Sequence, residues 1–103
     1  SEHNAELCMG GLTLDRLKRE VRRGQRRIEL QPREFQLLEL LMLNAGRIVT
    51  RTMMLETVWD LHFDPGTNIV ETHISRIRAK IDDEGDDSLI QTVRGAGYVI
   101  RDT

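Results

Sequence analysis

The chain is 103 residues long, enough for one compact domain with a modest core but not for two. Its formal net charge is −2, and with 39% apolar residues and only four aromatic side chains its core must be largely aliphatic. The single cysteine, Cys8, excludes an internal disulfide and a multi-cysteine metal site, and we expect it to be the buried thiol of a strand in a cytoplasmic protein. No apolar run reaches the roughly 18 residues that a membrane-spanning helix needs.

The charges are clustered, and their distribution matters more than their sum. Five of the 17 acidic residues lie at positions 82–87, a stretch that lacks the ligand spacing of a calcium loop and is predicted to be a solvated loop. Seven of the 15 basic residues lie at positions 16–27. Outside positions 82–87 the chain carries an excess of positive charge, which keeps a polyanion such as DNA among the candidate partners.

The N-terminal part of the chain predicts a small antiparallel sheet. Positions 1–6 show no periodicity and are expected to be a disordered leader or linker remnant, with the domain covering 7–103. Short strands are predicted at 7–9, 12–15, 19–23 and 26–30. The apolar face of this sheet consists of Leu12, Leu14, Ile28 and Leu30. The basic residues then form either a solvated face that protects the sheet edges or a docking surface for an upstream domain or a distant phosphate.

Three helices are predicted to follow the sheet. The first opens at Pro32, is almost entirely apolar over 35–43 and therefore central, and stops at 44–46. A brief strand at 48–49 leads to Thr50, the expected N-cap of a second helix that ends at 59–60. After a loop at 61–66, Thr67 is the expected N-cap of the third helix. Strands at 89–93 and 97–100 then form a C-terminal hairpin.

The third helix, predicted over 67–81, has two contrasting faces. Its apolar residues are spaced four, three and four apart, so they fall on one stripe that packs: Val70, Ile74, Ile77 and Ile81. The opposite face carries small and polar residues: Asn68, Thr72, Ser75 and Ala79. Arg76 and Arg78 flank that outward face. Such a helix fits a DNA groove, whereas the commoner alternative is an ordinary surface helix with a solvated face.

Six short motifs, in order along the chain, resemble one family. They are Pro32-Arg33-Glu34-Phe35-Gln36-Leu37-Leu38, Val49-Thr50-Arg51, Val58-Trp59, Thr67-Asn68-Ile69-Val70, His73-Ile74 with Arg76-Ile77-Arg78, and Gln91-Thr92-Val93-Arg94-Gly95-Ala96-Gly97-Tyr98. With these motifs, nearly the whole chain resembles the winged helix-turn-helix effector domain of the OmpR/PhoB family of bacterial response regulators. Val58-Trp59-Asp60, Phe63-Asp64 and Thr67-Asn68 also resemble the heavy-metal-responsive subgroup.

The resemblance implies an α+β fold with a four-stranded N-terminal antiparallel sheet, three helices and a C-terminal β-hairpin wing. It also implies that the third helix enters the DNA major groove and that the wing reaches the adjacent minor groove. The expected base contacts are Asn68, Thr72 and Ser75. The expected phosphate contacts are Arg51, Trp59, Arg76, Arg78 and Thr92, with Arg94 placed in the minor groove. The loop expected to contact RNA polymerase consists of Leu61, His62, Phe63 and Asp64.

Several side chains also allow a purely structural interpretation. We expect Trp59 to have a partly buried ring and His73 to be a hydrogen-bonded structural histidine, while Phe63 could fill the core instead of facing a partner. The three histidines show no metal-ligand spacing, so no metal site is expected. Gln31 stands where the family usually has threonine, which weakens the first helix cap. Because Ser75 is small, we expect weak direct readout, with Arg94, Asn68 and DNA shape supplying much of the specificity.

The sequence thus predicts a non-enzymatic, cofactor-free DNA-binding domain of a two-component transcription regulator. No hydrolase, metalloprotease or nucleotide-binding motif is present. The expected partners are double-stranded DNA with tandem half-sites, RNA polymerase, an upstream receiver domain of the same protein and, indirectly, a sensor histidine kinase. We expect a monomer in isolation and a dimer on DNA. The alternative is a winged-helix protein-interaction module, favoured by the net acidity and the apolar loop at 61–63.

Overall fold

The computed structural model describes residues 5–82 and 88–101. Its elements are β1 (Glu6–Met9), β2 (Leu12–Asp15), β3 (Glu20–Arg23), β4 (Arg26–Ile28), α1 (Pro32–Leu43), α2 (Arg51–Trp59), α3 (Ile69–Ile81), β5 (Ile90–Val93) and β6 (Gly97–Ile100). The predicted α+β architecture is confirmed. Most of the predicted leader and most of the acidic loop lie outside the described residues. None of the helices in the described part of the chain has both the length and the apolar character of a membrane span.

The first four strands form one antiparallel sheet in the order β1-β2-β3-β4. Leu14 pairs with Leu7 on one side and with Val21 on the other, so the apolar side chains of neighbouring strands share one face. That face is buried against the helices. The third strand starts at Glu20 rather than at Arg19, and the fourth ends at Ile28, two residues earlier than predicted.

Cys8 corrects one prediction, because its thiol is exposed rather than buried. Successive side chains of a strand point to opposite faces of the sheet. Leu7 and Met9 are the residues of β1 that pack against the core. The thiol between them therefore faces outward. The prediction of a buried thiol failed because it considered only that the neighbours of Cys8 are apolar, and not that side chains along a strand alternate between the two faces of the sheet.

The helix α1 lies at the centre of the domain, as its composition predicts. Phe35, Leu37, Leu38 and Leu41 are at most 4% exposed. At its first turn the Glu34 carboxylate accepts a hydrogen bond of 2.8 Å from the backbone N–H of Gln31, which satisfies a donor that the helix leaves free. The acidic residue in the first turn thus supports a helix start that lacks the threonine usual in the family.

The C-terminal hairpin is held against the segment that precedes α2. The predicted strand at 48–49 reduces to a single antiparallel bridge, in which Val49 N donates to Tyr98 O at 2.7 Å and Tyr98 N donates to Val49 O at 3.0 Å. Gly97 makes this approach possible. Its φ is +151°, and a Cβ added there would overlap the carbonyl oxygen of Val49.

The start of α2 has the predicted helix cap, whereas the start of α3 does not. The Thr50 hydroxyl accepts from Met53 N at 3.1 Å, which confirms the predicted cap of α2. The expected cap at Thr67 is wrong. The N-cap of α3 is Asn68, which makes no side-chain capping bond, and α3 begins at Ile69. The Thr67 carbonyl accepts a hydrogen bond from Arg51, a partner that the local sequence pattern does not indicate.

Candidate nucleic-acid interface

The two faces of α3 are separated as the periodicity predicts. Val70, Ile74, Ile77 and Ile81 are at most 1% exposed and pack against the core. The residues of the opposite side are all exposed: Asn68, Thr72, Ser75 and Ala79. Because the buried stripe holds the helix in place, its polar side is presented to solvent as a rigid surface.

Two arginines flank the outward face of α3, and they differ in their surroundings. Arg76 is exposed and makes no hydrogen bond or ion pair with the described residues. The side chain of Arg78 turns toward the hairpin, where Nε donates to Ile90 O at 3.1 Å and Nη2 donates to Thr92 Oγ1 at 2.8 Å. Its guanidinium also lies 5.7 Å from the centre of the Tyr98 ring.

Arg78 therefore fixes the hairpin relative to α3. The guanidinium retains further N–H groups beyond the two that bond to the hairpin, so the side chain can still donate to an anion. Thr92 is exposed as well, and its hydroxyl can donate while it accepts from Arg78. The expected phosphate contacts Arg78 and Thr92 thus form one connected surface.

Arg94 lies at the tip of the hairpin, in the turn that connects β5 and β6. Its side chain is exposed. The turn is closed by a hydrogen bond of 3.0 Å from Ala96 N to Val93 O, and Gly95 supplies the positive φ of +74° that it requires. The tip therefore projects a cation from a defined backbone at the side of α3.

The first residue of α2, Arg51, is the centre of an ion-pair network. Its guanidinium lies 2.8 Å from Asp64 Oδ1 and 2.8 Å from Glu71 Oε2, and it also donates to the carbonyl of Thr67. The hydrogen bonds that Arg51 donates to the two carboxylates, first to Glu71 and then to Asp64, raise the pKa of Arg51. Its charge is thus offset within the domain, and its role as a phosphate contact stays a prediction.

Trp59 and His73 pack against one another beside α3. Their rings meet edge to face, with centroids 5.0 Å apart and an interplanar angle of 81°. The ring of Trp59 is partly buried against the core, as expected. His73 Nδ1 lies 2.8 Å from the carbonyl of Ile69, which agrees with the structural role predicted for this histidine.

The loop after α2 exposes its aromatic residue. Phe63 is 68% exposed, so the alternative that it fills the core is wrong. Leu61 packs against the core instead, while His62 and Asp64 are exposed. A hydrogen bond from Gly66 N, together with the Arg51 guanidinium, lowers the pKa of Asp64. The loop is therefore anchored at both ends and presents Phe63 between them.

Two arginines of the basic cluster at 16–27 cap the C-terminal end of α3, a role that no sequence pattern predicted. Arg23 Nη1 donates to Ile81 O at 2.8 Å, and Arg26 Nη1 donates to Lys80 O at 3.0 Å. These carbonyls are among the four that a helix leaves without hydrogen-bond partners at its C-terminal end. Cations at that end also interact favourably with the helix dipole. Part of the basic cluster at 16–27 is thus a support for α3, in addition to a solvated face.

Taken together, these features define a winged helix-turn-helix domain. A helix-turn-helix unit, α2 and α3, presents the polar side of α3, and a hairpin held by Arg78 projects Arg94 beside it. Residues 5–82 and 88–101 contain no group of three or more metal-ligating side chains placed to hold an ion.

Comparison with known proteins identifies the family. Residues 24–100 match the family model described as "Transcriptional regulatory protein, C terminal". The chain is 49% identical over 97 residues to the response regulator MprA of Mycobacterium avium, an alignment that covers 94% of this chain and 42% of MprA. The chain thus spans less than half the length of the MprA relatives that it matches. It belongs to the family of transcriptional regulatory protein C-terminal domains.

Solved structures agree with this assignment. The DNA-binding domain of Klebsiella pneumoniae RstA, crystallised with the RstA box, has a TM-score of 0.84 and 31% identity, over 93% of this chain and 96% of that one. The DNA-binding domain of Escherichia coli CpxR has a TM-score of 0.85 and 30% identity, over 94% and 96% of the two chains. The resemblance to OmpR/PhoB response regulators is confirmed, whereas the heavy-metal-responsive subgroup stays a prediction.

Proposed function

We propose that this chain is the sequence-specific, double-stranded-DNA-binding output domain of a two-component transcription regulator. The observation that carries the proposal is the pair of surfaces on α3. One side is a fully buried apolar stripe, and the other is an exposed polar face beside the exposed Arg76 and the hairpin that Arg78 holds in place. The crystallisation of the RstA DNA-binding domain with DNA supports the same use of this fold.

In this proposal α3 lies in the major groove. A helix with its side chains is about 10–12 Å across and the groove is about 12 Å wide, so the exposed face of α3 can reach the base edges. The Thr72 methyl group suits the methyl group of thymine, and Ser75 and Asn68 can donate or accept hydrogen bonds. These side chains are short and discriminate weakly. Arg94 in the minor groove and DNA shape therefore supply much of the specificity.

The phosphate contacts lie on the flanks of α3. Arg76, Arg78 and Thr92 have donors that can reach the DNA backbone, and Trp59 offers its indole N–H. Arg51 can contribute only if a phosphate shares or replaces its carboxylate partners. Each phosphate that a side chain neutralises contributes about 0.9 to the slope of log affinity against log salt concentration.

The remaining partners follow from the proposed role in a response regulator. A receiver domain of the same protein precedes this domain, a sensor histidine kinase acts on that receiver, and the domain itself carries out no catalysis and binds no cofactor. Because one module buries only about 600–1,000 Å² on DNA, two copies on tandem half-sites form the binding unit, while the isolated domain is a monomer.

The exposed loop after α2 favours an additional protein contact. Phe63 is a large apolar side chain left open to solvent, with His62 and Asp64 beside it, and we assign this loop to RNA polymerase. Phe63→Ala should leave DNA affinity unchanged and reduce transcription activation in a reconstituted assay. Equal loss of both activities would contradict the separation of the two surfaces.

Selection of bound sites from random duplex DNA tests the proposed function. We expect enrichment of a tandem repeat, and binding of the selected site that weakens steeply as salt rises. Ser75→Ala should retain most discrimination against mutated sites. A chain that enriches no sequence and binds without salt dependence would be the winged-helix protein-interaction module instead.

A further inference from the structure

We propose that Arg33, at the start of α1, is a further contact to the DNA backbone and forms with Arg76 a second phosphate-binding position on the side of α3 opposite the wing. This inference rests on the proposed function, and the ligand is a phosphodiester group of the same DNA. None of the DNA contacts predicted from the sequence lies on α1.

The two arginines line one open cleft between the start of α1 and the flank of α3. The cleft has a volume of about 670 Å³, and its lining also includes Glu34, His73 and Lys80. Three of these five side chains are cationic, namely Arg33, Arg76 and Lys80, and Glu34 is the one carboxylate among the five. A space of this kind between two helices can accept an anionic group from outside.

Within residues 5–82 and 88–101, no ion pair compensates the positive charge of the two arginines. The Glu34 carboxylate is 1% exposed and lies 2.6 Å from Lys80 Nζ, so these two charges offset each other. Arg33 and Arg76 are exposed, and neither forms an ion pair with a residue of the described part of the chain. The cleft therefore has a net positive charge, which resides on the two side chains nearest to solvent.

Arg33 is also oriented by a contact. One of its Nη1 hydrogens is donated to the carbonyl of Val58, in the last turn of α2 and adjacent to Trp59. This bond holds the guanidinium at the edge of the helix-turn-helix unit, and its other N–H groups remain available to an anion. Arg33 and Arg76 thus place their N–H donors on the same cleft.

The cleft lies on the side of α3 where the second DNA strand of a major groove would run. Residues two apart on a helix are about 200° apart around its axis, so Arg76 and Arg78 point to opposite sides of α3. Arg78 is bonded to the hairpin. The cleft therefore lies on the side away from the wing. With α3 in the groove, one DNA strand faces the wing and the other faces Arg33 and Arg76.

Affinity for a single half-site, measured by fluorescence anisotropy over a range of salt concentrations, tests the proposal. Arg33→Ala should weaken binding severalfold and lower the salt slope by about 0.9. Arg33→Lys keeps the charge and should retain the slope, even if the bond to Val58 is lost. Arg22→Ala is the matched control, because Arg22 is an exposed arginine of β3, away from this cleft.

Several outcomes would overturn the inference. An unchanged slope in Arg33→Ala would show that Arg33 does not contact phosphate. A loss in Arg33→Lys equal to that in Arg33→Ala, with lowered melting temperatures in both, would show that Arg33 acts only through the fold. If the wild-type domain shows no salt-dependent DNA binding, the proposed function itself fails. If the wild-type domain binds DNA normally and Arg33→Ala binds equally well, only the inference about Arg33 fails.

Discussion

The hairpin wing depends on the absence of a side chain at Gly97, and Gly97→Ala should damage it selectively. A methyl group at this position would overlap the carbonyl oxygen of Val49. Because this oxygen belongs to the backbone, it cannot move aside as the end of a flexible side chain could. The change would break both hydrogen bonds of the bridge between Val49 and Tyr98. At about 1 kcal/mol for each bond and about 1 kcal/mol or more of backbone strain, we expect a loss of roughly 2–4 kcal/mol.

Gly95→Ala provides a matched control in the same hairpin. Gly95 also has a positive φ, +74°, but an added Cβ would have no neighbour within 4 Å. The stability of this variant should therefore fall only by the cost of backbone strain, about 1 kcal/mol. Urea unfolding at equilibrium measures both losses, and hydrogen exchange at the amides of Val49 and Tyr98 reports whether the bridge has opened.

The two glycine variants together test whether the close approach to Val49 is what requires glycine at position 97. If Gly97→Ala costs no more than Gly95→Ala, and the two bridge amides stay protected, the close approach of the hairpin to Val49 is not what requires glycine. A loss of stability with both amides still protected would place the damage elsewhere in the hairpin.

Three further predictions concern the caps and ion pairs. Thr50→Ala should cost about 1 kcal/mol in urea unfolding because it removes the cap of α2, whereas Thr57→Ala, on an exposed face of the same helix, should cost less. Burial raises the pKa of Glu34, but the hydrogen bonds from Lys80 and Gln31 N outweigh it and hold the pKa below 4.5. This carboxylate therefore adds stability that is complete above pH 4.5 and is lost as the pH falls through its folded-state pKa. Glu34→Gln should thus cost about 1–2 kcal/mol at pH 7 and progressively less in acid; a constant difference down to pH 2 would contradict this. Asp64→Asn releases Arg51 from one carboxylate and should raise DNA affinity roughly two- to fivefold, beyond the effect of Asp60→Asn, which removes the same charge from the same loop. Equal effects of these two variants in a binding titration would show that Arg51 does not reach the DNA.

Local patterns were sufficient to predict most of the fold. The spacing of Val70, Ile74, Ile77 and Ile81 predicted both the buried stripe and the exposed face of α3, because a helix repeats every 3.6 residues. The Thr50 cap and the hairpin turn at Gly95 were equally predictable, since a cap or a turn depends on a few adjacent residues.

The missed features depend on partners that are distant along the chain. The role of Arg51 as a phosphate contact stays a prediction, and what the local sequence did not indicate is that folding also brings Asp64 and Glu71 to its guanidinium. Arg23 bonds to a carbonyl 58 residues away, and no periodicity in β3 indicates that partner. The side chain of a long, flexible arginine can reach several elements, so its role is set by tertiary packing rather than by sequence pattern.

Methylation interference on a selected site tests whether α3 lies in the major groove and the wing in the minor groove. Dimethyl sulfate modifies guanine N7 in the major groove and adenine N3 in the minor groove, so one experiment reports on both. With α3 in the major groove and the wing in the minor groove, we expect interference at guanines within each half-site and at adenines beside it. Arg94→Ala should abolish only the adenine signal. Interference confined to the minor groove, or a guanine signal that disappears with Arg94→Ala, would contradict the account.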